Sequence, residues 1–189
     1  MAIADMFARR GRSTAPAPAT AQVPRQSVGA RLQELLTLAD AQDADAGRDA
    51  WLAQAVEHLV PDEAKILGVL ADYPDGAPGC ALMHIHCLSG TGIAGEALLE
   101  NASLVGKAAG VSLPELTPSY VQRLLLDDLV EIGPEDPRLH DEYHSLLADS
   151  TVLAALGRAR NDGFTPRVIR HTLRLAPLGR ALWQSIAPA

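Results

Sequence analysis

The chain has 189 residues, enough for one domain with appendages. Hydrophobic residues make up 48% of it and aromatic residues only 4%, which predicts a core of Leu, Ala, Val and Ile and favours helices. Two cysteines are too few for a disulfide framework, and no apolar run approaches the ~20 residues that span a bilayer. Because the N-terminus also lacks a secretory signal, we expect a cytoplasmic protein with reduced thiols and no membrane span.

The net charge of −7 is unevenly distributed. Residues 28–150 carry six basic and 21 acidic side chains, whereas residues 151–189 carry six Arg and a single Asp. The acidic middle would repel a phosphate backbone, while the last segment could attract one.

Residues 1–27 are predicted to form a flexible N-terminal arm, because residues 11–27 are rich in Pro, Ala and Ser. Ahead of this linker, Ile3, Met6 and Phe7 precede three arginines. They could form a short amphipathic peptide that docks on a partner. A frayed terminus is the alternative interpretation.

Residues 28–59 are predicted to form two N-terminal helices, Val28–Ala39 and Asp49–Leu59, each with an apolar face at helical spacing. Pro61 then begins a third helix at its first turn, where a missing N–H is tolerated. Residues 81–88 alternate as a strand, and the glycine-rich segment after them is predicted to open a helix that runs through Leu98 to Val105.

Thr117 is predicted to cap the next helix, with Pro118 at its first turn, and this helix leads into a short strand at Val130–Ile132. A helical insertion at Asp141–Arg160 separates it from a second strand, Val168–Leu175, and Pro177 begins the last helix. We expect the two strands to pair antiparallel. Residues 60–189 would then form a mainly α, winged-helix-like domain with a small β wing, flanked by N-terminal helices and carrying a helical insertion in the wing.

The order of these segments resembles the Abi-alpha family, named for abortive infection, from about His58 to Ile186. Four sequences carry the resemblance: VPDEAKIL (60–67), GKAAGVSLPELTPSYVQRLLLDDLVEI (106–132), Asp141-Glu142-Tyr143, and LRLAPLGRALW (173–183). The chain departs from the family pattern at Ala176, where Thr is usual, and at Asp127-Asp128, where Arg-Leu-Gly is frequent. The resemblance implies a bacterial protein linked to phage defence or regulation, and it transfers no catalytic residue.

Five arginines are candidate contacts to nucleic acid, on the last strand and on the helices beside it: Arg123, Arg167, Arg170, Arg174 and Arg180. In a winged-helix protein the helix before the wing enters the major groove. Here that helix offers Gln122 and Arg123 against Asp127 and Asp128, which is a poor match to phosphates. The alternative is that the arginines neutralise the acidic middle.

Two further patterns indicate chemistry less strongly. The GxGxxG segment Gly90–Gly95 resembles a dinucleotide loop, but the parallel strands of that fold are not evident in the sequence. Cys80, His84, His86 and Cys87 combine zinc-ligand types, although a regular strand points Cys87 away from both histidines. We therefore expect neither a metal nor another cofactor.

These features predict a non-catalytic binding or regulatory module that acts through protein contacts and forms a homodimer through its N-terminal helices. A DNA-binding regulator that uses the arginines is the alternative. A nucleotide-dependent enzyme that uses the glycine loop is a third possibility.

Overall fold

The structure is a computed structural model that describes residues 27–88 and 94–186. In chain order its helices and strands are α1 (Val28–Ala41), α2 (Ala44–His58), α3 (Pro61–Ala71), β1 (Cys80–Leu88), β2 (Ala94–Ser103), α4 (Val105–Ala108), α5 (Thr117–Leu126), β3 (Val130–Pro134), α6 (His140–Leu147), α7 (Ser150–Asn161), β4 (Thr165–Leu175) and α8 (Pro177–Ile186). Across the described ranges, no helix combines the length and apolar character needed to cross a membrane.

The chain divides into two compact units, Met1–Ala44 and Asp45–Ala189. In the first unit, α1 begins after Ser27, whose Oγ accepts a hydrogen bond from Ala30 N–H at 3.2 Å. No residue of α1 is buried. The second unit contains the sheet and α3–α8, together with all of α2 except its first residue.

The second unit is built on a four-stranded antiparallel sheet with the strand order β2-β1-β4-β3. The predicted pairing of the two late strands is confirmed, since Val130 lies opposite Leu175 and Ile132 opposite Leu173. The sheet is larger than the sequence suggested, because β4 also pairs with β1 over nine residues, from Cys80–Leu173 to Leu88–Thr165. The protein is therefore an α+β protein.

The helix predicted through Leu98 to Val105 is wrong for most of its length. Residues Ala94–Ser103 form β2, an edge strand that pairs antiparallel with β1. Its sequence, AGEALLENAS, is rich in Ala, Leu and Glu, which favour a helix when only neighbouring residues are considered. Pairing with β1 and packing of Leu98 and Leu99 against the core outweigh this local preference.

Helices cover both faces of the sheet. On one face, side chains of α3, α5 and α8 pack against β1, β3 and β4 around Leu82, Leu124 and Leu173. On the other face, α6 and α7 pack against β1 and β2 around Met83 and Ile85. Because β1 alternates between the two clusters, the fold buries apolar surface on both faces of its central strands.

The predicted helical insertion forms the two helices that cover the second face. Two residues of the family's Tyr-led motif attach this insertion to the sheet. Glu142 Oε2 accepts a hydrogen bond from Ala81 N–H at 3.0 Å, and Tyr143 OH donates to the backbone oxygen of His171 at 2.9 Å. Both bonds satisfy backbone or phenolic groups beside the core, so these motif residues have a structural role.

The closing motif of the chain brings α8 against the end of α5. Ala176 N–H donates to the backbone oxygen of Leu129 at 3.1 Å, directly before α8 begins. A Cβ on Gly179 would collide with the same backbone oxygen, so a side chain at this position would push α8 away. The glycine of the motif is thus required by a close approach of two backbones.

Helix α5 ends in a Schellman motif that places Asp128 in the left-handed region, with φ of 54°. Leu129 N–H donates to Leu124 O at 2.9 Å and Asp128 N–H donates to Leu125 O at 3.2 Å, which are the two bonds of this motif. Glycine usually occupies this position because an L-residue is strained there.

We expect Asp128→Gly to stabilise the protein by about 1 kcal/mol, because it relieves the left-handed strain and removes a negative charge from a helix C-terminus. Chemical denaturation measures the free energy of unfolding. Asp127→Gly is the matched control, since Asp127 carries the same charge with a φ of −90°. Equal effects of the two substitutions would show that backbone strain at Asp128 is not the cause.

Candidate functional sites

Four of the five candidate arginines form ion pairs within the chain. The pairs are Arg123–Glu63 at 3.0 Å, Arg170–Glu135 at 3.1 Å, Arg174–Glu131 at 2.7 Å and Arg180–Asp75 at 2.8 Å. Each carboxylate comes from the acidic middle of the sequence. This arrangement favours the interpretation in which the arginines neutralise that region, and it reduces the positive field available to a phosphate.

The polar side chains of α5 are also engaged by the protein itself. Gln122 Oε1 accepts a hydrogen bond from Asn101 Nδ2 at 2.8 Å. Arg123 donates to the backbone oxygen of His58 at 2.9 Å in addition to its ion pair with Glu63. The two groups that could read base edges from this helix would therefore have to leave existing partners.

Arg167 differs from the other candidates. It lies opposite His86 on β1, on the face of β4 that is opposite to Arg170 and Arg174 by strand alternation. It is exposed and has no ion pair with any residue of the described ranges. The five arginines thus do not form one continuous basic surface, and nucleic-acid binding through them stays a prediction.

A polar cavity of about 400 Å³ lies beside β3. Its charged lining consists of three carboxylates and three guanidinium groups: Glu131, Glu135, Asp136, Arg138, Arg174 and Arg180. Asp136 accepts hydrogen bonds from Arg138, which lowers the pKa of the Asp136 carboxyl group. The equal number of opposite charges gives this cavity no preference for an anion.

Two predicted sites lie partly or wholly outside the described residues. Ile3, Met6 and Phe7, the candidate docking residues, precede residue 27. Four residues of the glycine loop, 90–93, also lie outside. The strands on either side of that loop are antiparallel, with Leu88 opposite Ala94, so the segment joins two strands and does not lead into a helix. The expected strand–loop–helix context of a dinucleotide site is therefore absent at this position.

The prediction that Cys87 points away from His84 and His86 is confirmed. Cys87 is buried on the face of β1 opposite to His84 and His86. Cys80 lies on the histidine face but is also buried, and burial raises the pKa of its thiol to about 12. The Cys80 Sγ contacts Ser103 Oγ at 3.7 Å. Among the described residues, the group of side chains close enough to share a metal ion contains His84, His86 and Glu100 and neither thiol.

A cluster of histidines lies on the sheet face that also carries Leu82, towards the Leu88 end of β1. The rings of His84 and His86 are stacked with centroids 6.2 Å apart, and the ring of His171 on β4 lies 4.9 Å from that of His84. Burial and the neighbouring His171 lower the pKa of His84, which favours its neutral form. His171 had no role in the sequence interpretation, because only the pairing of β1 with β4 brings it to this position.

Glu100 and Asn101 join the same cluster from β2. Met83 pairs with Ala102 and Ile85 with Leu99, so the single residue His84 lies opposite both Glu100 and Asn101. This is a β-bulge, and Asn101 adopts a left-handed φ of 56° within it. Sequence reasoning missed both residues because it assigned this segment to a helix. The asparagine was the available signal, since Asn tolerates such backbone angles best among non-glycine residues.

Two of the apolar surfaces on the described parts of the chain are relevant to partner binding. In the first unit, α1 exposes Val28, Leu32, Leu35, Leu36 and Leu38. In the second unit, a groove of about 370 Å³ lies between the end of α2, α3 and α8. None of the described residues that line this groove is charged. They are Val56, Leu59, Val60, Pro61, Ala64, Leu67, Gly179, Leu182, Trp183 and Ser185.

The fold and these surfaces define an α+β protein with helices on both faces of an antiparallel sheet. The chain belongs to the abortive infection alpha family, whose model matches residues 14–186. The resemblance found from about His58 to Ile186 is confirmed and extends further towards the N-terminus. Membership relates the protein to abortive infection and thus to phage defence.

Among solved structures, the chain is similar to an uncharacterized protein from the hydrocarbon-degrading marine bacterium Alcanivorax borkumensis SK2. The two share 27% identity with a TM-score of 0.57, over 76% of this chain and 96% of that one. No curated protein matches the chain.

The ion pairs of the arginines predict weak binding to polyanions. We expect Glu131→Gln/Glu135→Gln to elute from heparin at higher salt than the wild-type protein, because it frees Arg174 and Arg170 for phosphate-like groups. Glu57→Gln/Glu115→Gln is the control, with the same change in net charge at other exposed positions. Strong binding by the wild type that is lost in Arg170→Ala/Arg174→Ala would contradict this expectation and support the DNA-binding alternative.

Proposed function

We propose that the protein is a non-catalytic binding module of phage defence that acts through protein contacts, beginning with a second copy of itself. The observation that carries this proposal is the apolar stripe of α1. Leu32 and Leu36 are 57% and 58% exposed, and Leu35 and Ala39 follow on the same face at helical spacing.

A helix of this kind needs a partner surface. It has 14 residues and buries none of them. Isolated helices of about 12–15 residues are marginal in water, and most helical stability in proteins comes from packing an amphipathic face. Complete burial of an exposed leucine contributes about 1.5–3 kcal/mol. These leucines are about half exposed, so covering each would contribute roughly half of that.

A second copy of the chain supplies a matching surface. In a two-fold symmetric dimer the same face of each subunit contacts its counterpart, so an apolar stripe meets an apolar stripe. Arg31 and Glu34 of the same helix form an ion pair at 2.7 Å. These two charges therefore keep a partner when the stripe becomes buried. This apolar face supports the proposed homodimer through the N-terminal helices.

The groove of the second unit supports the broader role as a binding module. Its uncharged lining suits the apolar face of a helix from another protein, which is a common mode of recognition. The winged-helix interpretation would instead require α5 to enter a DNA groove. We place protein contacts first because Gln122 and Arg123 on that helix already bind Asn101 and Glu63.

The proposal predicts that the full-length protein is a dimer at micromolar concentration and that Leu32→Ser/Leu36→Ser converts it to a monomer. Each dimer would lose four buried leucine side chains, so the dissociation constant should rise at least about 100-fold. Analytical ultracentrifugation over a concentration series measures the change.

Gln33→Ser/Thr37→Ser is the matched control, because these two polar residues have the same spacing and lie about 100° around α1 from Leu32 and Leu36, beside the apolar stripe. It should dimerise like the wild type. A wild-type protein that stays monomeric at high concentration would overturn the proposal. So would a Leu32→Ser/Leu36→Ser variant that dimerises normally, since the interface would then lie elsewhere.

A further inference from the structure

We propose that the histidine cluster is a binding site for one divalent transition-metal ion of the zinc type, held by His84, His86 and Glu100. One ring nitrogen of each histidine and one carboxylate oxygen of Glu100 all lie within 4.8 Å of one another. Bonds of about 2.0–2.2 Å to a single ion would bring these atoms closer through small side-chain rotations. Imidazole and carboxylate are suitable ligands for Zn²⁺, Fe²⁺, Co²⁺ and Ni²⁺.

The β-bulge is the backbone feature that assembles this set. In a regular antiparallel pair only one residue of β2 would lie opposite His84, and its neighbour would point to the other face. The left-handed conformation of Asn101 allows both Glu100 and Asn101 to approach His84. Strained backbone of this type at a non-glycine residue is concentrated at functional sites, because the surrounding structure must maintain it.

Asn101 forms a hydrogen bond with His84 that resembles the bonds which orient metal-binding histidines in other proteins. Its Nδ2 donates to Gln122 Oε1 at 2.8 Å, so its Oδ1 accepts from the Nε2–H of His84 at 3.2 Å. The proton on Nε2 leaves Nδ1 with a free lone pair. Ligand histidines characteristically donate their second ring nitrogen to an oxygen in this manner, which fixes both tautomer and orientation.

His86 provides an independent observation. Its Nε2 atom is buried and has no hydrogen-bond partner. A buried polar atom without a partner costs about 1–3 kcal/mol, so native structures rarely contain one without a reason. A metal ion bound at the cluster would account for the missing partner of this atom, either as its ligand partner or by fixing the orientation of the ring.

The site would be an open one. Three protein ligands leave at least one coordination position for water or for a group from a bound molecule. Glu100 is exposed, so this position is accessible from solvent, while both histidines are half-buried. Two neutral imidazoles and one carboxylate leave a net charge of about +1 on a divalent ion, which would attract an oxygen anion as a further ligand. The inference does not depend on the proposed dimer.

The test is calorimetric titration of Zn²⁺ into full-length, tag-free protein that has been treated with a chelator and desalted. We expect one ion per chain with a dissociation constant at or below roughly 1 µM. Co²⁺ should bind at the same site and give visible absorption bands that report nitrogen and oxygen ligands. His84→Ala/His86→Ala should abolish both signals.

Two conservative variants separate binding from folding. Glu100→Gln changes only an exposed carboxylate and should weaken binding at least about tenfold. Asn101→Gly accepts the left-handed backbone and removes the hydrogen bond to His84, so it should weaken binding by about 10–100-fold. Circular dichroism should show both variants to be folded like the wild type.

His140→Ala/His144→Ala is the matched control, because these two histidines on α6 have ring centroids only 4.4 Å apart and lie outside the cluster. It should bind the metal like the wild-type protein. The inference is overturned if the wild type binds neither Zn²⁺ nor Co²⁺, if His84→Ala/His86→Ala retains the site, or if the control pair proves to be the ligand.

Discussion

The antiparallel pairing of β1 with β4 is the interaction on which the rest of the second unit depends. It joins nine residue pairs without a break, whereas the pairing of β1 with β2 contains several register shifts. These central strands contribute apolar side chains to both cores, so the two helical layers are attached to the same pair of strands. A shift of one residue would exchange the two faces of β4 and remove Leu173 and His171 from their present neighbours.

The sequence motifs of the family have structural roles around this sheet. Asp62 accepts hydrogen bonds from Ser112 N–H at 2.9 Å and Tyr120 OH at 3.3 Å, which connects the start of α3 to α5 and the loop before it. The bond from the Ser112 N–H, with smaller contributions from Lys65 and the Ser112 hydroxyl, lowers the pKa of the Asp62 carboxyl group. Asp62, Glu142, Tyr143 and Gly179 all belong to the family pattern and all stabilise the fold. The pattern therefore identifies the fold without identifying an activity.

Three of the six arginines in residues 151–189 form ion pairs with the acidic middle of the sequence. Arg170, Arg174 and Arg180, from the basic end, meet carboxylates that lie 35, 43 and 105 residues earlier in the chain. Exposed ion pairs of this type contribute only about 0–1 kcal/mol each, so their main effect is on the surface field. These three arginines of the basic segment therefore lie beside carboxylates, which reduces the positive field at their positions.

The sequence by itself determined the features that depend on near neighbours. Pro61 and Pro177 correctly marked the first residues of two helices, and the alternation of β1 correctly placed Cys87 opposite to His84. The expected cap at Thr117 is wrong, because Thr117 is the first residue of α5 and its Oγ1 donates to Pro114 O at 2.7 Å. Only the tertiary structure decided that residues 94–103 form a strand, because their helix-favouring side chains gain more from pairing with β1. The same pairing created the bulge that brings Glu100 and Asn101 to His84, and the pairing with β4 brought His171. Local signals act over about four residues along a helix, whereas these groups meet only when distant segments are packed together.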